Sequence, residues 1–279
     1  MSLQLPLYNS GANTNSKNNI QTLKKLFTLF AALIFTTAMS AHLGRPTWSV
    51  FAGAGTQTIV GQDKKNWGTD GDIKPNFAWT LGAEARIPLM GSDFGATWLA
   101  NAAIGTRGFH DTYKGGNKYE TTEWIHTFNI QLAPFMFGWN FDLRSVSIMP
   151  FAGPYVSFDF AGTQREKGKW DDGEKLDEKV SIWHVRDANK LADNAYMSWY
   201  DESAKKWKRG HQFIDVGLNF GANVYFAKRF YAGATFQAGF MQMIKKKARE
   251  YMFTDEDGSK KDYKYGTSFT FLCRFGFEF

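Results

Sequence analysis

"SFTFLCRFGFEF" (residues 268–279) ends the chain. Phe269, Phe271, Phe275, Phe277 and Phe279 fall on every second position, with Cys273 alone interrupting the run. Thr270, Leu272, Arg274, Gly276 and Glu278 lie between them. Strict alternation over a dozen residues is the period of a strand, because successive side chains of an extended chain point to opposite faces. One face meets something apolar and the other tolerates an arginine and a glutamate. A soluble sandwich and the wall of a membrane barrel both satisfy that description.

The same alternation recurs seven more times upstream. The segments span about 48–60, 75–87, 96–109, 122–137, 146–161, 211–226 and 230–240. One face of each is apolar: Trp48, Val50 and Ala52; Phe77, Trp79 and Leu81; Trp98 and Ile104; Phe128, Ile130 and Leu132; Val156 and Phe158; Val216, Leu218 and Phe220; Phe230, Phe236 and Phe240. His126 is the main exception on that face. The other face holds Gly, Asn, Thr and a few charges, among them Glu84, Arg86, Arg107, Asp159, Asp215 and Arg274. The outside of a soluble sandwich would be densely charged. This face suits the interior of a narrow barrel, which admits small or hydrogen-bonded side chains.

Link lengths agree. Links near 88–95, 138–145 and 227–229 are short, whereas 61–74, 110–121, 162–210 and 241–266 are long. Alternating short and long links fit an up-and-down barrel with short periplasmic turns and long extracellular loops. Trp48, Trp98, Phe226, Phe230 and Phe279 then mark one membrane interface, and Phe77, Trp79, Trp124, Phe158, Phe160, Phe240 and Phe269 the other. The fold class read from the sequence is all-β: an eight-stranded antiparallel up-and-down transmembrane β-barrel over residues 46–279, its third extracellular loop long (about 162–210).

"LKKLFTLFAALIFTTAMSA" (23–41) has two lysines, an apolar run of about ten residues and then small residues. That is the pattern of a secretory signal peptide, so residues 1–41 are expected to be removed. The expected location is the outer membrane of a Gram-negative bacterium, with both termini periplasmic. The formal charge of +6 includes Lys17, Lys24 and Lys25, so the mature chain carries about +3. A charge so small on so long a chain argues against nucleic acid as a partner. Cys273 is the one cysteine, so no internal disulfide forms, and the fold must be held by its core or by barrel closure.

"MPFAGPYVSFDFAG" (149–162) and "FIDVGLNFGANVYFAKRFYAGATFQAGF" (213–240) resemble the "GPY" strand and the following hairpin of PorT-like outer-membrane β-barrel proteins, common in Bacteroidota. The resemblance covers roughly 46–279, and these two stretches are its specific part; the long third loop departs from it. It implies an outer-membrane barrel. The family is mostly of unknown function, and some members serve the type IX secretion and gliding apparatus. The terminal Phe279 resembles the C-terminal aromatic that the barrel-assembly machinery is thought to recognise in this class, which makes that machinery and outer-membrane lipid expected partners.

Charges inside a narrow barrel need partners, so Glu84, Arg86, Arg107, Asp215 and Arg274 are expected to form a polar lumen network, with Arg274 pairing Glu84. The alternative is an ion or substrate path. No His with a neighbouring nucleophile or acid cluster appears at a strand end, so no enzyme, catalytic residue or cofactor is expected. The runs "WDDGEKLDE" (170–178) and "TDEDGSKKD" (254–262) lack full calcium-loop spacing, and no metal site is assigned. The third loop is charged yet rich in aromatics: Trp170, Trp183, Tyr196, Trp199, Tyr200 and Trp207. Aromatics concentrate in recognition patches, so these six are the candidates for binding a protein or glycan partner; a short helix is expected over 187–200. The sequence thus points to a non-enzymatic barrel acting through its extracellular loops. The alternative is transport, as a narrow channel or a component of a type IX-like secretion apparatus.

Overall fold

The computed structural model describes residues 44–61, 72–90, 94–115, 119–169, 173, 175–185, 198–226, 229–252, 264 and 266–279. Eight long strands run antiparallel: β1 (Thr47–Val60), β3 (Asn76–Pro88), β4 (Gly95–Gly115), β5 (Tyr119–Asp142), β6 (Val146–Lys169), β10 (Ile214–Phe226), β11 (Phe230–Gln242) and β12 (Thr267–Glu278). Each pairs with the next, β6 pairs with β10, and β12 pairs with β1 from Ser49↔Glu278 to Val60↔Thr267. The sheet therefore closes on itself and leaves no edge in the wall. Shorter elements decorate one end: β2 (Asp72–Lys74) on β4, β7 (Lys175–Ser181) on β6, the hairpin of β8 (Ser198–Asp201) with β9 (Lys206–Arg209), and α1 (Lys246–Met252).

The alternation sorts the faces. Val50, Leu81, Ile104, Ile130, Leu132, Val156, Val216, Leu218, Phe220 and Phe275 all point outward and lie 40–52% exposed. A continuous apolar belt of that kind is tolerated where lipid, not water, surrounds it. Trp48, Phe137 and Phe279 at the short-turn end, and Phe77 and Phe240 at the long-loop end, are strongly exposed aromatics of the two interfaces, at 54–70%. Among the described residues no helix is long and apolar enough to cross a membrane. The molecule is a closed eight-stranded antiparallel transmembrane barrel.

Bulges on β5 and β6 adjust the pattern, and a third irregularity lies on β11 between Ala238 and Gln242. On β5 the ladder gains residues between Leu132 and Phe137, and the inward phase changes so that Ala133 and Met136 are both buried. On β6, Phe160 is the extra residue between the pairs Phe128↔Ala161 and Asn129↔Asp159. A bulge leaves backbone groups without ladder partners, and on β5 and β6 a tryptophan meets one carbonyl of each. Trp98 Nε1 donates to Pro134 O at 2.7 Å, and Trp183 Nε1 donates to Phe160 O at 2.9 Å.

Several expected loops are strands. Residues 110–121 were read as a loop, but β4 and β5 continue as a hairpin to Gly115 and from Tyr119. The third loop begins only after Lys169, and β7 then folds back onto β6 from Thr163↔Ser181 to Lys169↔Lys175. Residues 198–200, placed in a helix by the sequence, form part of β8, and the remainder of that expected helix, 187–197, lies outside the described residues. Backbone pairing does not end where the membrane does: a strand leaving the bilayer keeps its partner when cross-strand side chains still match.

Candidate functional site

The lumen is filled in tiers. At the short-turn end Arg86 Nη2 lies 3.1 Å from Glu278 Oε1 and the guanidinium sits 4.5 Å from the Tyr225 ring centroid. A vestibule of about 410 Å³, lined by Arg86, Asn140, Asp142, Arg144, Tyr225 and Glu278 among others, opens there. In the middle Arg274 Nη2 is 3.0 Å from Glu84 Oε2, and the guanidinium lies 3.9 Å from the Phe51 ring centroid. Gln131 bridges to Asn219 (3.2 Å) and Gln237 (3.0 Å). The void beside Arg274 measures about 10 Å³, room for a single water.

At the long-loop end Arg107 joins two buried acids. Its Nη2 lies 2.5 Å from Asp159 Oδ2 and its Nη1 lies 3.1 Å from Asp215 Oδ2. Asp215 also accepts from Tyr155 OH (3.0 Å), Ser268 Oγ (2.7 Å) and the Met241 amide (3.1 Å). His211 Nε2 is 2.8 Å from Asp159 Oδ2. This His–Asp pair is fully buried, and no Ser or Cys side chain among the described residues hydrogen-bonds His211. Above it Ile59, Phe109, Ile125, Met243, Ile244 and Ala248 form one apolar cluster that closes the mouth beneath α1.

The five lumen residues named from the sequence all face inward, as three separate groups rather than one network: Arg274 with Glu84, Arg107 with Asp215, and Arg86 with Glu278. Asp159, His211, Tyr155 and Ser268 complete the second group and were not assigned to it. A larger omission is the apolar filling. Phe51, Leu99, Met136, Met149, Phe151, Tyr155, Tyr225 and Tyr231 are buried in the lumen. Its glycines are their seats: a Cβ on Gly276 would lie 2.3 Å from the Tyr231 ring. Gly276, Phe51 and Tyr231 all stand on the inward face by parity, which gives the shared face but not which ring lies over which glycine.

The third-loop aromatics form a rim above the wall; Trp170 and Tyr196 lie outside the described residues. Trp183 stacks on Phe213 at 4.2 Å, and the Arg209 guanidinium braces it, 5.3 Å from the ring centroid, with Nε donating to Trp183 O at 2.8 Å. Tyr200 meets Trp207 edge-on at 5.5 Å, and Trp207 meets Tyr251 of α1 at 5.6 Å. Lys208 and Lys247 sit over Trp199 at 5.6 and 5.4 Å. The β8–β9 turn is pinned by Asp201, which accepts from Ser203 N and Oγ and from Lys208 Nζ. Those bonds, Lys208 first, hold the Asp201 carboxyl well below its ordinary range.

Between rim and wall lies a cavity of about 630 Å³, its walls including Phe158, Trp183, Trp207, Lys206, Arg209 and Lys245. Burial, and then the nearby Arg209 charge, push the Lys245 ammonium down. The basic members were missed from the sequence, although "KKWKRG" (205–210) sets basic residues on both sides of Trp207. Among the described residues no group of three His, Cys, Asp or Glu side chains is arranged to hold a metal ion.

No protein-family model matches the chain, and no curated protein matches it. Among solved structures it is similar to Ail, the attachment invasion locus protein of Yersinia pestis, in complex with the heparin analogue sucrose octasulfate: 12% identity, 84% of this chain and 99% of that chain covered, TM-score 0.31. Ail without that ligand in its description gives 11% identity, 84% and 99% coverage and a TM-score of 0.33. Neisserial surface protein A gives 9% identity, 83% and 97% coverage and a TM-score of 0.34.

Proposed function

We propose that this chain is a non-enzymatic outer-membrane barrel that works at the cell surface by binding a protein or glycan partner at its long-loop end, chiefly through the third loop. The observation that carries the reading is the rim itself. Trp183, Trp199, Tyr200 and Trp207 are held in place by stacking, by Arg209 and by the Asp201 turn. Aromatics fixed on a paired hairpin present contact area at low entropic cost, which is what a recognition surface needs. The filled lumen supports a binding role over conduction, since a void of about 10 Å³ admits no hydrated solute.

In this reading residues 1–41 are a signal peptide, the termini are periplasmic, Phe279 addresses the barrel-assembly machinery, and the PorT-like resemblance rests on 149–162 and 213–240. The deciding experiment compares the intact protein with a variant in which two glycines replace residues 183–208. The cut ends are close, because Arg209 Nε reaches Trp183 O at 2.8 Å. Crosslinking in native outer membranes should recover a partner with the intact protein and lose it with the shortened one. Equal recovery by two folded barrels would overturn the proposal.

A further inference from the structure

The 630 Å³ cavity under the rim has one wall of a different kind. Phe158 and Ile214, paired in register on β6 and β10, belong to the outward face and are 42% and 48% exposed. The cavity therefore begins on the surface that lipid covers and ends among the loop-three side chains. Its volume falls in the ordinary range for a small-molecule site.

Every charged residue in its lining is basic: Lys206, Lys208, Arg209 and Lys245. Lys208 is committed to Asp201. The other three make no ion pair among the described residues. Arg209 spends Nε on Trp183 O and is braced against that ring, so its plane is fixed while both Nη groups lack a partner among the described residues. Lys245 is steered by the Phe213 face, 5.5 Å away, and donates to Arg209 O at 3.3 Å. A planar guanidinium held beside ammonium groups is the donor set that phosphate oxygens take up in pairs. An apolar lip continuous with the bilayer, a basic floor and tryptophans at the interface together match an amphiphile, not a soluble ligand.

We propose that this groove holds the phosphorylated headgroup of an anionic lipid of the surrounding leaflet, phosphate on Arg209, Lys206 and Lys245, with an acyl chain along Phe158 and Ile214. The proposal rests on reading loop three as a recognition surface and names what its membrane-facing side takes. A lipid bound there ties the loop to the bilayer and orients the outer rim above it.

The test uses the full barrel in neutral detergent and three probes: a bisphosphorylated, acylated glucosamine disaccharide, its dephosphorylated form, and its deacylated form. Binding is read by native mass spectrometry and by tryptophan quenching. The intact probe should bind at least about tenfold more tightly than either derivative, and added salt should weaken it in the unaltered protein. Arg209→Gln with Lys245→Gln should weaken it by roughly thirtyfold while Lys208→Gln, at the residue already paired with Asp201, has a smaller effect. Equal binding of the deacylated probe would assign the groove to a soluble phosphorylated glycan and overturn the lipid assignment. Equal binding of the dephosphorylated lipid, or no binding of any probe, would overturn it outright. These probes contain no cell-derived partner, so their failure leaves the crosslinking result standing, and the reverse holds too.

Discussion

Arg274 is gripped by more than its ion pair. Its guanidinium packs 3.9 Å from the Phe51 centroid, reaches Tyr231 OH at 3.3 Å, and meets Glu84 at 3.0 Å, all deep in the lumen. Removing one member of such a buried pair leaves the other charged and without compensation, which costs about 3–5 kcal/mol. Glu84→Leu is therefore expected to lower unfolding stability in urea by about that amount. The double variant Glu84→Leu/Arg274→Met should recover most of the loss, since an apolar pair of similar volume demands no desolvation of charge. A single variant as stable as the parent would show that the pair does not hold the barrel. This contact was legible in the sequence, because parity put both residues on one face and burial demanded a partner. The aromatic filling was not legible in the same way. Parity tells which face Phe51, Phe151 and Tyr231 share, but which glycine each ring lies over depends on strand register, and alternation alone leaves register open.

At the scale of elements, the eight strands could be read from their period of two, whereas what lies beyond the membrane could not. The bulges at Pro134 and Phe160 shift the inward phase, and alternation counted through them gives the wrong face on the far side. One consequence is a row that no single strand reveals. Asp111↔Glu123, Glu123↔Glu166 and Glu166↔Glu178 align four carboxylates across β4, β5, β6 and β7. The neighbouring outward row runs Lys74, His110, Trp124, Arg165 and Lys179, too charged for hydrocarbon, so the carboxylates lie above the bilayer. Burial first, then Glu166 and Asp111, push the Glu123 carboxyl up to about 8, against the lowering effect of the bond from Gln164. A folded pKa raised above the unfolded value means that the stability this group contributes is complete below its unfolded pKa of 4.5 and is lost as pH rises through about 8. Amide protection factors across 109–125 should accordingly fall between about pH 5 and about pH 9, and Glu123→Gln should flatten most of that change. Protection that is the same at both ends of the range would remove Glu123 as the cause.

For the whole molecule, closure and filling act together. The wall has no free edge, the middle of the lumen carries Arg274, Glu84, Phe51 and Tyr231, and the mouth is sealed by Ile59, Phe109, Ile125, Met243 and Ile244. An ion entering from the 410 Å³ vestibule would have to shed its hydration shell at a void of about 10 Å³ beside a buried guanidinium. Eight strands leave an interior that side chains fill, in contrast to the open lumen of larger barrels. The barrel in planar bilayers is therefore expected to give no steady conductance steps above the bare membrane, at either polarity. Replacing Phe51, Tyr231, Arg274 and Glu84 together by alanine empties the middle tier without leaving an unpaired charge, yet it should still give no steps, because the Arg107 group and the apolar mouth above it stay closed. Steps from the unaltered protein would mean that the mouth opens. The transport reading of this barrel would then outrank the binding one, and the same recording with Met243→Cys in a Cys273→Ser background, labelled in place, would show whether the apolar cluster beneath α1 is the gate.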